Sequence, residues 1–326
     1  APKILMGLVI LLALSDNVVI FQEAFTFIEL FCGTAWVSRV MRSSGKPTAQ
    51  LDILLTETMY KSSPQNSMDL LSDCGFLLAL VSILNGKFDD CLAVVAMVCS
   101  SFVAINRGTN QRYPYAPLGA EEYPSVARGN ILASRLSLLL YAIVAMGGCF
   151  LLEQPRSSTL DWHPRVRQLF HDLEKVWYAC WHMAHYYSKF PKRQIAWANS
   201  PVVGELDLGT LCKKYVRKLA TLGKSAKTYV SNGKKKFVGT KSLKSSENYP
   251  PRFGRKLERL HGEFCSTRVF REVDPEVSPI PIKDFFISLE WGDLWEDASM
   301  VSVLAWLRGN KHLQLGMWRE CFPQEL

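Results

Sequence analysis

Four places along the chain carry side chains that suit ligand binding or catalysis where a strand would hand over to a loop. They are Glu29 to Ala35, Asp52, Cys99 and Glu153. In open parallel sheets, ligands bind beyond the carboxyl ends of the strands. A glycine at a strand-to-helix turn, as Gly33 would be, lets the backbone approach a ligand closely. Cysteine chemistry needs a thiolate at an exposed site. Cys99 would stand beyond an apolar run, at the start of a polar loop. Each residue alone also fits a structural part: a tight turn, a strand-end Asp, a buried thiol, a salt bridge from Glu153 to an arginine. Their order and spacing together carry the functional reading.

A second kind of chemistry is suggested further on. From Lys213 to Arg259 the chain is strongly basic, with Glu247 and Glu258 the only acids. Arg193, Arg217, Lys218 and Lys234, Lys235 and Lys236 would contact phosphates, with Trp197 and Tyr215 as stacking surfaces. The alternative is a solvated loop, which charge runs usually are. The net charge of +8 and pI of about 9.0 permit an acidic partner without requiring one. Nine cysteines are scattered with no C-x-x-C pair and no zinc spacing. They point to a reducing intracellular compartment, nucleus or cytoplasm. His182 and His185 would share a helix face but lack a third ligand, so no metal is expected.

The elements that must position these residues follow from the spacing of apolar runs and turn residues. Strands are predicted at Thr26 to Phe31, Thr48 to Leu51, Leu92 to Val98 and Cys149 to Leu152. Helices are predicted at Ala35 to Ser43, Asp69 to Asn85 and Asn130 to Met146, with Gly45, Gly86 and Gly147 just past their ends. Residues 107–128, rich in Gly, Pro, Tyr and Asn, read as a long, mobile loop closing over a substrate. Trp162 to Tyr187 reads as helical and aromatic-rich. This alternation predicts an α/β fold: a Rossmann-like, doubly wound, mostly parallel sheet with helices on both faces, plus a basic C-terminal region.

Glu29-Leu30-Phe31-x-Gly33 resembles the first cofactor motif of the DNA cytosine 5-methyltransferases. The resemblance implies that Glu29, Phe31, Gly33 and Thr34 lie against the methionine part of S-adenosylmethionine. Asp52, at the next strand end, would hold the ribose hydroxyls, because a carboxylate accepts two hydrogen bonds from a diol. Ala96 to Phe102 stands in the place of the family's Pro-Pro-Cys motif, with Met97 and Val98 replacing the prolines. Cys99 would then be the nucleophile that attacks the 6-position of cytosine. Glu153-Gln154-Pro155 is similar to the Glu-Asn-Pro/Val motif, whose glutamate binds the polar edge of the flipped base. Phe190 to Asn199 resembles a Lys-Pro-Thr-x-x-Trp-x-Asn segment of some members, and Asn248 to Gly254 a tract near the family's C-terminal end. Nothing beyond about Arg259 resembles the family.

The expected organisation is an apolar N-terminal segment at 1–24, a methyltransferase domain at 25–204, a basic, nucleic-acid-contacting region at 205–272 and an extension of unknown role at 273–326. The expected activity is transfer of a methyl group from S-adenosylmethionine to cytosine in DNA, with RNA as the other substrate. Two other readings stand beside it. One is a non-catalytic, nucleic-acid-binding relative, favoured by the lost prolines and by Gln154. The other is a membrane protein, motivated by the nearly continuous apolar run from Ile131 to Leu152. A buried helix followed by a buried strand is the preferred account of that run, since Gly147-Gly148 breaks it, and a membrane is not expected. Ile4 to Leu14 is too short to span a bilayer and reads as a buried element or a signal-peptide remnant. With Ala at position 1, the chain reads as a fragment or a processed product.

Overall fold

A computed structural model describes residues 23–56, 66–87, 89–173, 175–190, 192–213, 216–217, 226–231, 234–239 and 247–269. The apolar segment Ile4 to Leu14 and the extension 273–326 lie outside the described residues.

The chain folds as an α/β protein around a mixed six-stranded sheet in the order β2-β1-β3-β4-β6-β5. The strands are β1 (Phe27–Leu30), β2 (Thr48–Leu51), β3 (Leu92–Val95), β4 (Cys149–Pro155), β5 (Trp177–His182) and β6 (Arg193–Ala198). The first four are parallel, in register Phe27 to Thr48, Phe27 to Leu92 and Leu92 to Cys149. β6 runs antiparallel to both β4 and β5. β1 and β3 are buried at every position, as strands covered on both faces must be.

Helices cover both faces. On one, α1 (Trp36–Ser43) and α5 (Pro251–Ser266) pack on Phe27, Leu92, Val94 and Leu151. On the other, α2 (Asp73–Leu84), α3 (Pro124–Ala145) and α4 (Pro164–Asp172) pack on Ile28, Leu30, Ala93 and Val95. α5 falls in the region 205–272 that its charge set apart, yet it belongs to this fold. Phe253, Leu257, Leu260 and Phe264 recur every three or four residues and are buried, while Arg252, Arg255 and Arg259 face outward. Gly254 permits this contact, since a Cβ there would come within 3.2 Å of a Val40 methyl.

Several elements differ from expectation for local reasons. α2 begins at Asp73, because the Ser72 hydroxyl accepts a hydrogen bond from Gly75 N at 2.9 Å and caps the helix. α3 begins at Pro124, the first-turn position a proline favours. β3 ends at Val95 rather than Val98, and β4 runs on to Pro155 because β6 pairs with it there. The stretch Trp162 to Tyr187 is not one helix. After α4 it becomes strand β5, in which Ala179 and Trp181 are buried while Tyr178 is exposed.

The loop at 107–128 is not a free lid. Arg112, 1% exposed, is its core. Its guanidinium donates to the carbonyls of Ser101, Pro117, Leu118 and Val126 and to Asn130 Oδ1. Within the basic region, β7 (Ala226–Ser231) and β8 (Lys234–Gly239) pair antiparallel, where one of the two readings of the sequence had a solvated loop. α3 is long and apolar enough to cross a membrane, and 72% of its most apolar window is buried inside the fold.

Candidate active site

β2 and β3 lie on opposite sides of β1, so the strand order reverses there and the loops leaving β1 and β3 part. Beyond these carboxyl ends lies a cavity of about 980 Å³. Phe31, Gly33, Asp52, Cys99 and Glu153, drawn from four separate strand ends, all line it. Met68 to Asp73, Lys192 and Glu247 to Tyr249 complete its wall.

The turn after β1 is strained. Phe31, Gly33 and Ala35 all adopt positive φ, at 58°, 54° and 54°. Such backbone persists only where its surroundings hold it. Part of the hold comes from Asp52, whose Oδ2 accepts from Gly33 N at 2.7 Å and whose Oδ1 accepts from Leu54 N at 2.8 Å. Each carboxylate oxygen has a second acceptor site left for a ligand. A Cβ at Gly33 would meet nothing within 4 Å, so the backbone there faces open space.

Glu29 does not line the cavity among the described residues. It is 1% exposed, and its Oε2 accepts from the backbone N and the hydroxyl of Ser38 in α1. It thus satisfies an otherwise orphaned donor in the first turn of α1. Thr34 does not line the cavity either; its hydroxyl lies 3.4 Å from Asn248 Oδ1.

Cys99 is half-buried, and burial pushes its thiol above the ordinary range. Lys192 pulls it back, while Glu153 and Glu247 push it further up. The site as it stands therefore favours the thiol over the thiolate. Glu153 is 5% exposed, and burial raises its carboxyl too, against the opposing pull of Lys192 and of a hydrogen bond from Tyr249. That bond, from the phenol to Oε2, is 2.5 Å long. Glu153 Oε1 is buried with no partner among the described residues. A buried, unpaired carboxyl oxygen on a cavity wall is a place for a ligand donor.

Side chains hold the loop after β3. Gln154, fully buried, donates from Nε2 to Met97 O at 2.7 Å and accepts from Ser158. Asn106 donates to Ser100 O, Asn110 and Arg112 to Ser101 O, and Thr159 to Phe102 O. These four carbonyl contacts follow directly on Cys99.

Sequence reasoning missed Lys192 and Tyr249 as site residues, although both lie in segments that it singled out, Phe190 to Asn199 and Asn248 to Gly254. It also missed the roles of Gln154 and Arg112, which no local pattern announces. Asn199, in the same segment as Lys192, is structural: its Oδ1 accepts from Phe150 N at 2.9 Å and its Nδ2 donates to Gly148 O. Arg193 is exposed at the start of β6, where its carbonyl accepts from Arg156 N. Lys234, Lys235 and Lys236 form one half of the β8 strand. His182 and His185 meet edge to face at 6.0 Å, at the end of β5 and in the turn after it, not on a helix. No protein-family model matches the chain, and neither does any curated protein or solved structure.

Proposed function

We propose that this protein is an S-adenosylmethionine-dependent methyltransferase that acts on the 5-position of cytosine in DNA, built on a doubly wound, Rossmann-like fold. One observation carries the reading: Gly33 and Asp52, from the first β-α-β unit, share a cavity with Cys99 and Glu153 from β3 and β4. The parallel order β2-β1-β3-β4, reversing at β1, supports the fold assignment.

The residues present fit the cofactor. Asp52 keeps free acceptor sites for a ribose diol, and the turn at Gly33 offers bare backbone. Phe31 contributes apolar wall. Glu29 serves through α1 instead of by contact. When bound, S-adenosylmethionine supplies an electrophilic methyl group.

Cys99 must shed its proton before Sγ can attack carbon 6, and Lys192 is placed to favour the thiolate. As the Sγ–C6 bond forms, the C5–C6 π pair moves into the ring toward nitrogen 3. Glu153, kept protonated by burial, shares its proton with that nitrogen through its unpaired Oε1. Tyr249 holds the other oxygen in place. Once carbon 5 carries the methyl group, its own proton would pass to water, the C–H pair would re-form the C5–C6 double bond, and nitrogen 3 would return its proton to Glu153. The Sγ–C6 bond breaks last, with its electron pair returning to sulfur. A base inside a duplex is out of reach, so the target must be flipped into the cavity. Lys192 and Arg128 line the cavity and would meet phosphates of the bound strand.

The test is a covalent trap. DNA carrying 5-fluorocytosine, with S-adenosylmethionine, should yield a protein–DNA adduct on a denaturing gel, because no proton can leave carbon 5. The adduct should vanish in Cys99→Ser. The raised thiol pKa of Cys99 favours a second reading, a nucleic-acid-binding relative without catalysis. That reading predicts cofactor binding by calorimetry with no adduct on any DNA tested.

A further inference from the structure

The parallel strands β1 to β4 begin at the end of the sheet remote from the cavity, and a separate cluster lies there. Asp90 precedes β3, while His261 and Cys265 lie on the last turns of α5. The ligand atoms of the three lie within 4.8 Å of one another. His261 and Cys265 are buried, whereas Asp90 is partly exposed.

We propose that Asp90, His261 and Cys265 bind a zinc ion, with water as the fourth ligand, and that this ion ties α5 to the start of β3. One nitrogen, one oxygen and one sulfur ligand suit zinc, which accepts all three. Tetrahedral zinc–ligand bonds of about 2.0–2.3 Å put ligand atoms roughly 3.3–3.6 Å apart, so edges of up to 4.8 Å must close by up to about 1.5 Å, within the reach of side-chain torsions.

The orientation of His261 is what points to a metal. Its Nε2 lies 2.8 Å from Thr26 O, an acceptor only, so Nε2 carries the ring proton. Nδ1 then presents a lone pair, and it faces Asp90 Oδ1 at 3.8 Å. A backbone carbonyl on the far nitrogen is the usual device that fixes the tautomer of a metal-bound imidazole. Burial also holds this imidazole below its ordinary pKa, in the neutral form that a metal needs.

Two features oppose binding and sharpen the test. The Cys265 thiol is pushed up to about 12, so coordination must displace its proton to solvent as the S–Zn bond forms. Lys46 Nζ lies 3.4 Å from His261 Nδ1 and occupies the lone pair that a metal would take. Its long side chain is only half-buried and can swing out. The consequence reaches the cavity, because α5 follows directly on Tyr249, the residue that holds Glu153. Zinc at the far end of α5 would fix the helix that delivers this wall.

The experiment uses the full chain, stripped with EDTA and titrated with zinc and with cobalt(II) as a spectroscopic probe. One equivalent of cobalt should bind and give a thiolate-to-cobalt charge-transfer band, absent in Cys265→Ser. Asp90→Asn should weaken binding by at least about tenfold, the scale lost when outer-sphere partners alone are removed. Lys46→Gln should tighten it. No saturable binding, or an undiminished band in Cys265→Ser, would overturn the proposal. So would unchanged affinity in Asp90→Asn, whose partly exposed position keeps the fold out of the answer.

Discussion

Replacing Glu29 with glutamine is expected to stabilise the protein in mildly alkaline solution and to change it little in acid. Glu29 is buried between β1 and α1, where desolvation raises its carboxyl to about 7 against an ordinary 4.5. The bonds from Ser38 pull it part of the way back, and Asp52 pushes it up again. Because the folded-state pKa is raised, folding is favoured when Glu29 is protonated. Its contribution is therefore at its best below about pH 4.5 and is lost as the pH rises through 7. Above that point the ionised carboxylate costs the fold roughly 3 kcal/mol. Glutamine keeps an oxygen for Ser38 N and its hydroxyl, but its amide group then faces the place of Oε1, which has no partner. An unsatisfied donor there costs about 1 kcal/mol. The variant should gain roughly 2 kcal/mol at pH 8 and lie within about 1 kcal/mol of the parent at pH 5. Urea denaturation of both proteins at the two pH values, followed by circular dichroism, measures the difference. A variant less stable than the parent at pH 8, or a difference independent of pH, would refute the reasoning. The same variant should keep its affinity for S-adenosylmethionine, because Glu29 acts through α1 and not by contact.

Three further outcomes follow from the site. Arg112→Met removes one donor from each of four carbonyls and from Asn130 Oδ1, so it should destabilise by roughly 3 kcal/mol and expose residues 107–123 to protease; equal stability would mean the network is idle. Gln154→Ala releases Met97 O, two residues before Cys99, and should lower kcat by roughly 10- to 100-fold with a smaller change in KM. An effect confined to KM would assign Gln154 to substrate binding. Tyr249→Phe removes a hydrogen bond that favours the charged form of Glu153, so its carboxyl should rise further and the corresponding limb of the pH–rate profile should move to higher pH. A limb that stays in place would show that Glu153 does not govern the rate.

The strand ends were legible because they are local. Short apolar runs closed by Gly33 or Asp52 mark where β1 and β2 stop, whatever packs on them, whereas β4 outruns Glu153 because a distant strand pairs with it. Distant partners were not legible. β5 and β6 form a hairpin whose pairing with β4 spans about forty residues, and an aromatic run before it fits a helix or a strand until the register is made. In α5 the apolar stripe was readable every three or four residues, but the arginines between outweighed it in composition.

By itself the sequence determined the succession of strands β1 to β4 and put Gly33 and Asp52 just past the first two, since both follow from the order of side chains along a few residues. Only the tertiary structure decided where those side chains point and what covers them. Glu29 and Phe31 are two apart at the end of one strand, yet the chain turns into positive φ at Phe31, so one caps α1 and the other lines the cavity. The apolar length of α3 would equally suit lipid; α2, α4 and the sheet cover it instead. Tyr249 comes 96 residues after Glu153 and reaches it only because α5 packs on α1. Burial, and with it the pKa values and the unpaired oxygen on which catalysis is proposed to rest, is a property of neighbours brought from far along the chain, which local spacing does not encode.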